Sequence, residues 1–285
     1  MALQLSSLWF RSLRWRYLFP PGARPTHLFR AVMIAYMGNN VLPLRAGEVL
    51  RVYVPSRHGQ SFWTVAGTVL VERVLDGVAI GAMLAGVFLL LPVPRELEWA
   101  ALLFLSADLA LILALAAVVA APAAAERFVT GLVRRWPALE RRAHGLLAPL
   151  FEGLGGIRTP RHWAPILGHS VAIWLTVAVG IWAAFRAAHL TLPLAAGWTA
   201  MAFVGLGISL PSSPGFAGVV QAAVVVALGL FGVDRSEALA ASLVMHASSY
   251  LPVTAWGLIL LASEGLTLSA ARTASAQRPA TPRQS

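Results

Sequence analysis

Two small groups of charged residues stand inside sequence that is otherwise apolar. Arg45, Glu48 and Arg51 recur at intervals of three, and Glu72, Arg73 and Asp76 lie within the next apolar run. Helical periodicity puts the first group on one face. It gives Glu72 and Asp76, four apart, a shared face from which Arg73 is offset. A charge at membrane depth is costly and marks a ligand, ion or proton site by default. Guanidinium forks match the oxygens of phosphate and carboxylate, so Arg45 and Arg51 are candidates to bind an anionic headgroup, with Glu48 holding an arginine in place. The plainer readings are a cluster whose long side chains snorkel to the interface and, for Glu72, Arg73 and Asp76, an ion-pair network tying helices together. Network and site are compatible.

The elements that must position these residues are signalled by a break. Residues 26–37 read as an apolar helix, with the amides of Asn39 and Asn40 at its end. Pro43 lacks an N–H and pushes Leu42 away from helical angles, so the helix is predicted to stop there. Gly47 reads as a cheap bend, after which helix resumes. A broken helix frees backbone groups that lipid cannot satisfy, and it persists only where protein or a wet cavity surrounds it. Residues 38–51 are therefore expected to line a site.

Composition says what surrounds that site. The 285 residues are 58% hydrophobic and only 12% charged, with a mean hydropathy of +0.72. Soluble domains carry about 25% charged residues, so the chain reads as an all-α polytopic membrane protein. Its 22 basic residues are all arginine and face 12 acids, a formal net charge of +10. No soluble domain or interleaved aromatic–basic platform accompanies that charge, which speaks against nucleic acid as a partner. Positive-inside topology and anionic lipid headgroups account for it. The absence of cysteine excludes disulfides, zinc-thiolate sites and Cys nucleophiles. No H-x-x-H or H-E-x-x-H spacing suggests a metal, and no cofactor is expected.

In chain order, residues 1–25 read as an interfacial N-terminal segment, rich in arginine and aromatics and without a signal-peptide pattern. Residues 61–91 are one long apolar stretch that must tilt, kink near Gly77 or Gly81, or begin outside the hydrocarbon core. Residues 99–121 form the cleanest span, interrupted by Asp108. The basic connection 123–162 is expected to be cytoplasmic and to lie amphipathically on the anionic leaflet. Residues 163–185 and 239–262 read as further spans, which brings the C-terminus to the cytoplasmic side. The polar residues 263–285 are expected to be a disordered tail.

Between the last two spans lies a second break. Ser209, Leu210 and Pro211 can be laid over the stretch from Asn40 to Pro43, each followed by a glycine-containing turn and another apolar helix. In the second turn the relevant residues are Pro214, Gly215 and Gly218. Two Gly/Pro-interrupted apolar segments at corresponding places are how inverted-repeat transporters announce their site. Half-helix N-termini carry unpaired N–H groups that suit phosphate or carboxylate. Two simple turns would give the same spacing.

Three boxes then carry a resemblance. NNVLPLRAGEVLR from Asn39, VERVLDG from Val71 and LPSSPGFAGVVQ from Leu210 resemble, in that order, the boxes of the lysylphosphatidylglycerol synthase transmembrane, or flippase-like, family. The resemblance covers most of residues 26–262. It implies a polytopic fold with re-entrant helices that moves lipids or lipid-linked headgroups across the bacterial inner membrane. Three departures are visible. The N-terminus looks short for the family. Gln221 stands where the family commonly has an acid, so it can hydrogen-bond but cannot counter a charge or relay a proton. No acyltransferase-like domain follows residue 262, so lipid aminoacyl transfer by this chain alone is not expected.

The remaining polar residues attract plainer readings. Asp108 fits a locally satisfied carboxyl or a partner of an arginine, His169 or His246. The two histidines fit packing, and Ser212 and Ser213 fit helix capping better than nucleophilic catalysis. The expected function is a translocator whose substrate site gathers Asn40, Arg45, Glu48, Arg51, Glu72, Arg73, Asp76 and Gln221. Its alternatives are a membrane enzyme acting on lipid or polyprenyl-phosphate substrates and a scaffold beside a separate lipid synthase.

Overall fold

The structure is a computed structural model, and it describes residues 1–209 and 213–266. Among these residues it has eleven α-helices and no strand. Four are long and apolar enough to span a membrane: α4 (Phe62–Leu90), α5 (Arg95–Ala120), α8 (Pro160–Ala187) and α11 (Arg235–Ser263). Large apolar side chains project outward from them, among them Leu103, Leu113, Val171 and Ile259. On a soluble protein such a surface would aggregate; in lipid it is the expected exterior.

Local chemistry sets the boundaries. Ser61 accepts from Thr64 N at 3.4 Å and caps α4. Prolines open α6 (Pro122–Val133), α7 (Pro137–Glu152) and α8, where the missing N–H costs nothing. The predicted stop after α2 (Leu28–Val41) lies where Pro43 demands it. Leu42 is extended, with φ −100° and ψ 147°. A short 3-10 turn, Pro43–Arg45, leads into α3 (Gly47–Arg57).

Gly47 does a different job from the bend expected of it. The left-handed residue of the turn is Arg45, at φ 55°. Gly47 instead lets α3 lie directly on α2: a Cβ there would come within 1.9 Å of the Ala35 carbonyl oxygen. The same logic governs α4, which runs unbroken through Gly77 and Gly81. At about 1.5 Å per residue it extends about 43 Å, longer than a ~30 Å hydrocarbon core. Cβ atoms on Gly77 and Gly81 would meet Asp108 at 1.9 Å and Leu105 at 2.7 Å. These glycines seat α5 against α4.

The N-terminal segment is part of the packed core. Helix α1 (Ala2–Arg16) lies against α2 and α8 and buries Leu8, Arg11, Arg14 and Trp15. Arg11 and Arg14 enter because acids on α4 meet them, and Trp15 joins the apolar core around α2 and α3. Helices α6 and α7 pack on each other, and α7 also packs on α4. They leave Phe128, Leu132 and Leu139 exposed. The second broken pair is α9 (Leu194–Ser209) and α10 (Val219–Gly229), also packed together. Pro211, expected to break this pair, lies outside the described residues, as do residues 267–285 of the expected tail.

Candidate functional site

Helix α4 supplies the acids around which the site is built. Glu72 and Asp76, one turn apart, are both buried, and neither could stay ionised there alone. Helix α1 answers with Arg11 and Arg14, three residues apart on its inner face. Arg11 Nη1 donates to Glu72 Oε1 at 2.6 Å and to Asp76 Oδ2 at 2.5 Å. Arg14 Nη2 donates to Asp76 Oδ1 at 2.8 Å and lies 3.1 Å from Glu72 Oε1. From α3, Arg51 donates to Glu72 Oε2. Its guanidinium lies over the Trp15 ring, 4.4 Å from the centroid, and the Trp15 indole donates to Thr68 Oγ1 at 2.9 Å. Arg14 also reaches Ser170 on α8 at 3.1 Å. Four helices are thus tied through one ion network.

A second, more open layer lies beside it. The Arg73 side chain is 30% exposed and sits 3.5 Å from Asp76, 3.6 Å from Glu72 and 3.9 Å from Glu48. Arg45 is 3.9 Å from Glu48, and Asn39 donates to Glu48 at 3.4 Å. Five guanidiniums therefore face three carboxylates across the two layers, leaving two positive charges in surplus. Several donors also lack a hydrogen-bond partner among the described residues, including Arg45 Nε and Arg73 Nε and Nη2. Unmet donors beside surplus positive charge are the chemistry that an anionic group would complement.

That layer forms one end of a cavity of about 830 Å³. Arg11, Tyr36, Arg45, Arg73 and Asp76 line its polar end. Its walls are apolar and come from α4, α5, α9 and α10, through residues such as Ile80, Leu103, Phe104, Phe203 and Val226. Asp108 puts a carboxylate on the α5 wall, set against Gly77. The two breaks meet at the rim. Arg45 Nη1 donates to the Ile208 carbonyl at 3.1 Å and lies 5.9 Å from the Phe216 ring centroid. Gly215, at φ 64°, fits between Tyr250 and the Asn40 carbonyl, where a Cβ would come within 2.6 Å of the Tyr250 ring.

The geometry is that of an amphipathic pocket between two broken helices, and the sequence compares accordingly. A family model, the lysylphosphatidylglycerol synthase transmembrane region, matches residues 1–257. The chain belongs to that family. It is a membrane protein of lipid metabolism or transport. Neither a curated protein nor a solved structure matches it. The family match starts at residue 1, so α1 with Arg11 and Arg14 lies inside the matched region.

Family membership gives the three boxes a common place, and the structure sorts their residues. Arg45, Arg73 and Asp76 line the cavity, and Glu48 stands behind the two arginines. Arg51 and Glu72 are fully buried and hold the network together. Asn40 points elsewhere: its Nδ2 donates to Thr254 at 2.8 Å, and its carbonyl accepts from Tyr250 at 3.3 Å. Gln221 also turns away from the cavity. It accepts from Gly218 N at 2.7 Å, capping α10, and pairs with His246 at 2.9 Å. His169 is bound to the Pro165 carbonyl at 2.6 Å. Gly218, at φ 84°, takes the left-handed turn that the second break requires.

Sequence reasoning missed Arg11, Arg14 and Tyr36. The signal was present in part: Arg11, Arg14 and Trp15 share a helix face, and an acid pair of matching pitch stands at Glu72 and Asp76. What was lacking was any reason to bring residues 1–25 into the core.

Proposed function

We propose that the chain carries a phospholipid or lipid-linked headgroup across the bacterial inner membrane. The observation behind this reading is the cavity itself, lined by arginines at one end and apolar along its walls. An anionic or zwitterionic headgroup would sit at Arg45 and Arg73, with Glu48 and Asp76 holding the two guanidiniums in place. Its acyl chains would lie along α5, α9 and α10 or extend into lipid. Because the broken pairs α2–α3 and α9–α10 meet at the rim, rocking of one against the other would open the polar end to one side and then the other. Membrane lipids are the partners this implies, with a separate lipid synthase as a supplier of cargo. The basic α6–α7 connection and the C-terminus would both be cytoplasmic.

An enzyme reading needs a general base free to take a proton. Glu72 and Asp76 are each engaged by more than one guanidinium, an arrangement suited to charge pairing. A scaffold reading expects a closed, dry interior at the breaks, whereas Pro43 is exposed and an open cavity lies beside it.

The test is reconstitution of the purified chain in vesicles carrying fluorescent phospholipids. Transfer between leaflets without chemical change is expected. Arg73→Gln and Arg45→Gln should each slow it at least tenfold, the effect of losing one charge-assisted contact of about 1.5 kcal/mol or more. Folded variants that transfer lipid at the wild-type rate would refute the assignment, and a chemically altered lipid would favour the enzyme.

A further inference from the structure

We propose that His27, His58 and Glu264 form a site for a transition-metal dication, with zinc the best match, at one end of the bundle outside the cavity. Each residue terminates a different helix. His27 precedes α2, His58 follows α3 and Glu264 follows α11. One donor atom from each lies within 4.8 Å of the others. His58 Nε2 is 2.9 Å from Glu264 Oε2, and the two imidazoles face each other with centroids 4.0 Å apart.

Zinc takes imidazole nitrogen and carboxylate oxygen at about 2.0–2.2 Å, which sets tetrahedral donors about 3.3–3.6 Å apart. Both rings are exposed, so small side-chain rotations close the remaining gap. Two imidazoles and one carboxylate leave the fourth position to water. This donor set favours zinc, nickel or copper over the all-oxygen preference of magnesium and calcium.

The surroundings orient the ligands. Arg30 Nη1 donates to Glu264 Oε1 at 3.2 Å and so leaves Oε2 for the ion, while Arg57 Nη1 donates to the Glu264 carbonyl at 2.9 Å. Outer bonds of this kind fix a carboxylate ligand in place. The two guanidiniums also repel a cation, which holds the affinity below that of a buried structural zinc. His27 adopts a left-handed φ of 57°, a backbone choice that turns its ring over His58.

A bound ion would clasp both outer ends of the first broken pair to α11. That helix already grips the break from inside, through Thr254 and Tyr250 on Asn40. The ion would make α2, α3 and α11 one rigid body. No local motif reveals the site, because positions 27, 58 and 264 share no spacing in the sequence.

The experiment uses tag-free, chelator-washed full chain in detergent, titrated with zinc by calorimetry and melted with and without it. One ion per chain and a rise in Tm of several degrees are expected, with magnesium inert. His58→Ala and Glu264→Gln should each weaken binding at least tenfold and abolish the Tm rise. If either variant loses its fold, His27→Gln, altered only at an exposed ring, decides by itself. Absence of saturable binding, or zinc bound equally by His27→Gln, would overturn the site whatever the outcome of the lipid-transfer test.

Discussion

Glu72 receives Arg11, Arg14 and Arg51 at once, so its neutralisation leaves Arg11 and Arg14 sharing Asp76 and takes from Arg51 the carboxylate it donates to. Breaking a buried ion network from one side costs about 3–5 kcal/mol, chiefly through the charge left uncompensated. Glu72→Gln should therefore unfold at a much lower temperature than wild type, or fail to accumulate. An unchanged Tm would show that the network is not structural. Arg73 lies one position along the chain and lines the cavity. Arg73→Gln should leave the melting temperature nearly unchanged while slowing lipid transfer. Gly77 makes a third case. A methyl group there runs into the Asp108 carboxylate, so Gly77→Ala should cost about 1–3 kcal/mol as α5 is pushed off α4. Chemical or thermal denaturation of the purified variant measures it.

At the level of elements, caps and close contacts decide where the helices stop. Asp234 caps α11 by accepting from the Ser236 amide at 2.8 Å and from its hydroxyl. Those hydrogen bonds hold the Asp234 carboxyl below its ordinary range. A carboxylate depressed in the folded state contributes stability above its unfolded pKa and loses it as pH falls through the folded value. The cap should thus survive to below the usual Asp range and then fray. The measurement is hydrogen exchange at residues 236–239, which should speed up only in strong acid. The first break was legible because Pro43 leaves the chain no other choice. The burial of α1 was not, because arginine-rich sequence reads as surface until its counter-charges on α4 are known. Gly47 was misjudged for a related reason, and the same reason left a kink near Gly77 among the options. A glycine chosen for a close approach looks in sequence like a glycine chosen for a bend, and only the facing backbone or carboxylate separates the two. Gln221 illustrates the limit from the other side. Its place in a family box marked it for the cavity, yet its side chain is used to cap α10 and to hold His246.

For the whole molecule, the arginine distribution sets an orientation that the absence of native cysteine makes simple to test. Arg127, Arg134, Arg135 and Arg158 lie on or between α6, α7 and the start of α8, and the positive-inside rule predicts the cytoplasmic side for a connection of this kind. On that orientation the link between α4 and α5, around Pro92 and Pro94, would lie outside. A single cysteine placed at Val93 should react in intact cells with a membrane-impermeant maleimide, and one at Arg134 should react only after permeabilisation. Exposed Phe128, Leu132 and Leu139 on the same two helices fit a hairpin resting its apolar side on the leaflet while its arginines meet lipid phosphates. Apolar exposure keeps the hairpin at a membrane surface, and charge selects which surface. The reversed labelling pattern would place the basic hairpin outside and overturn this orientation.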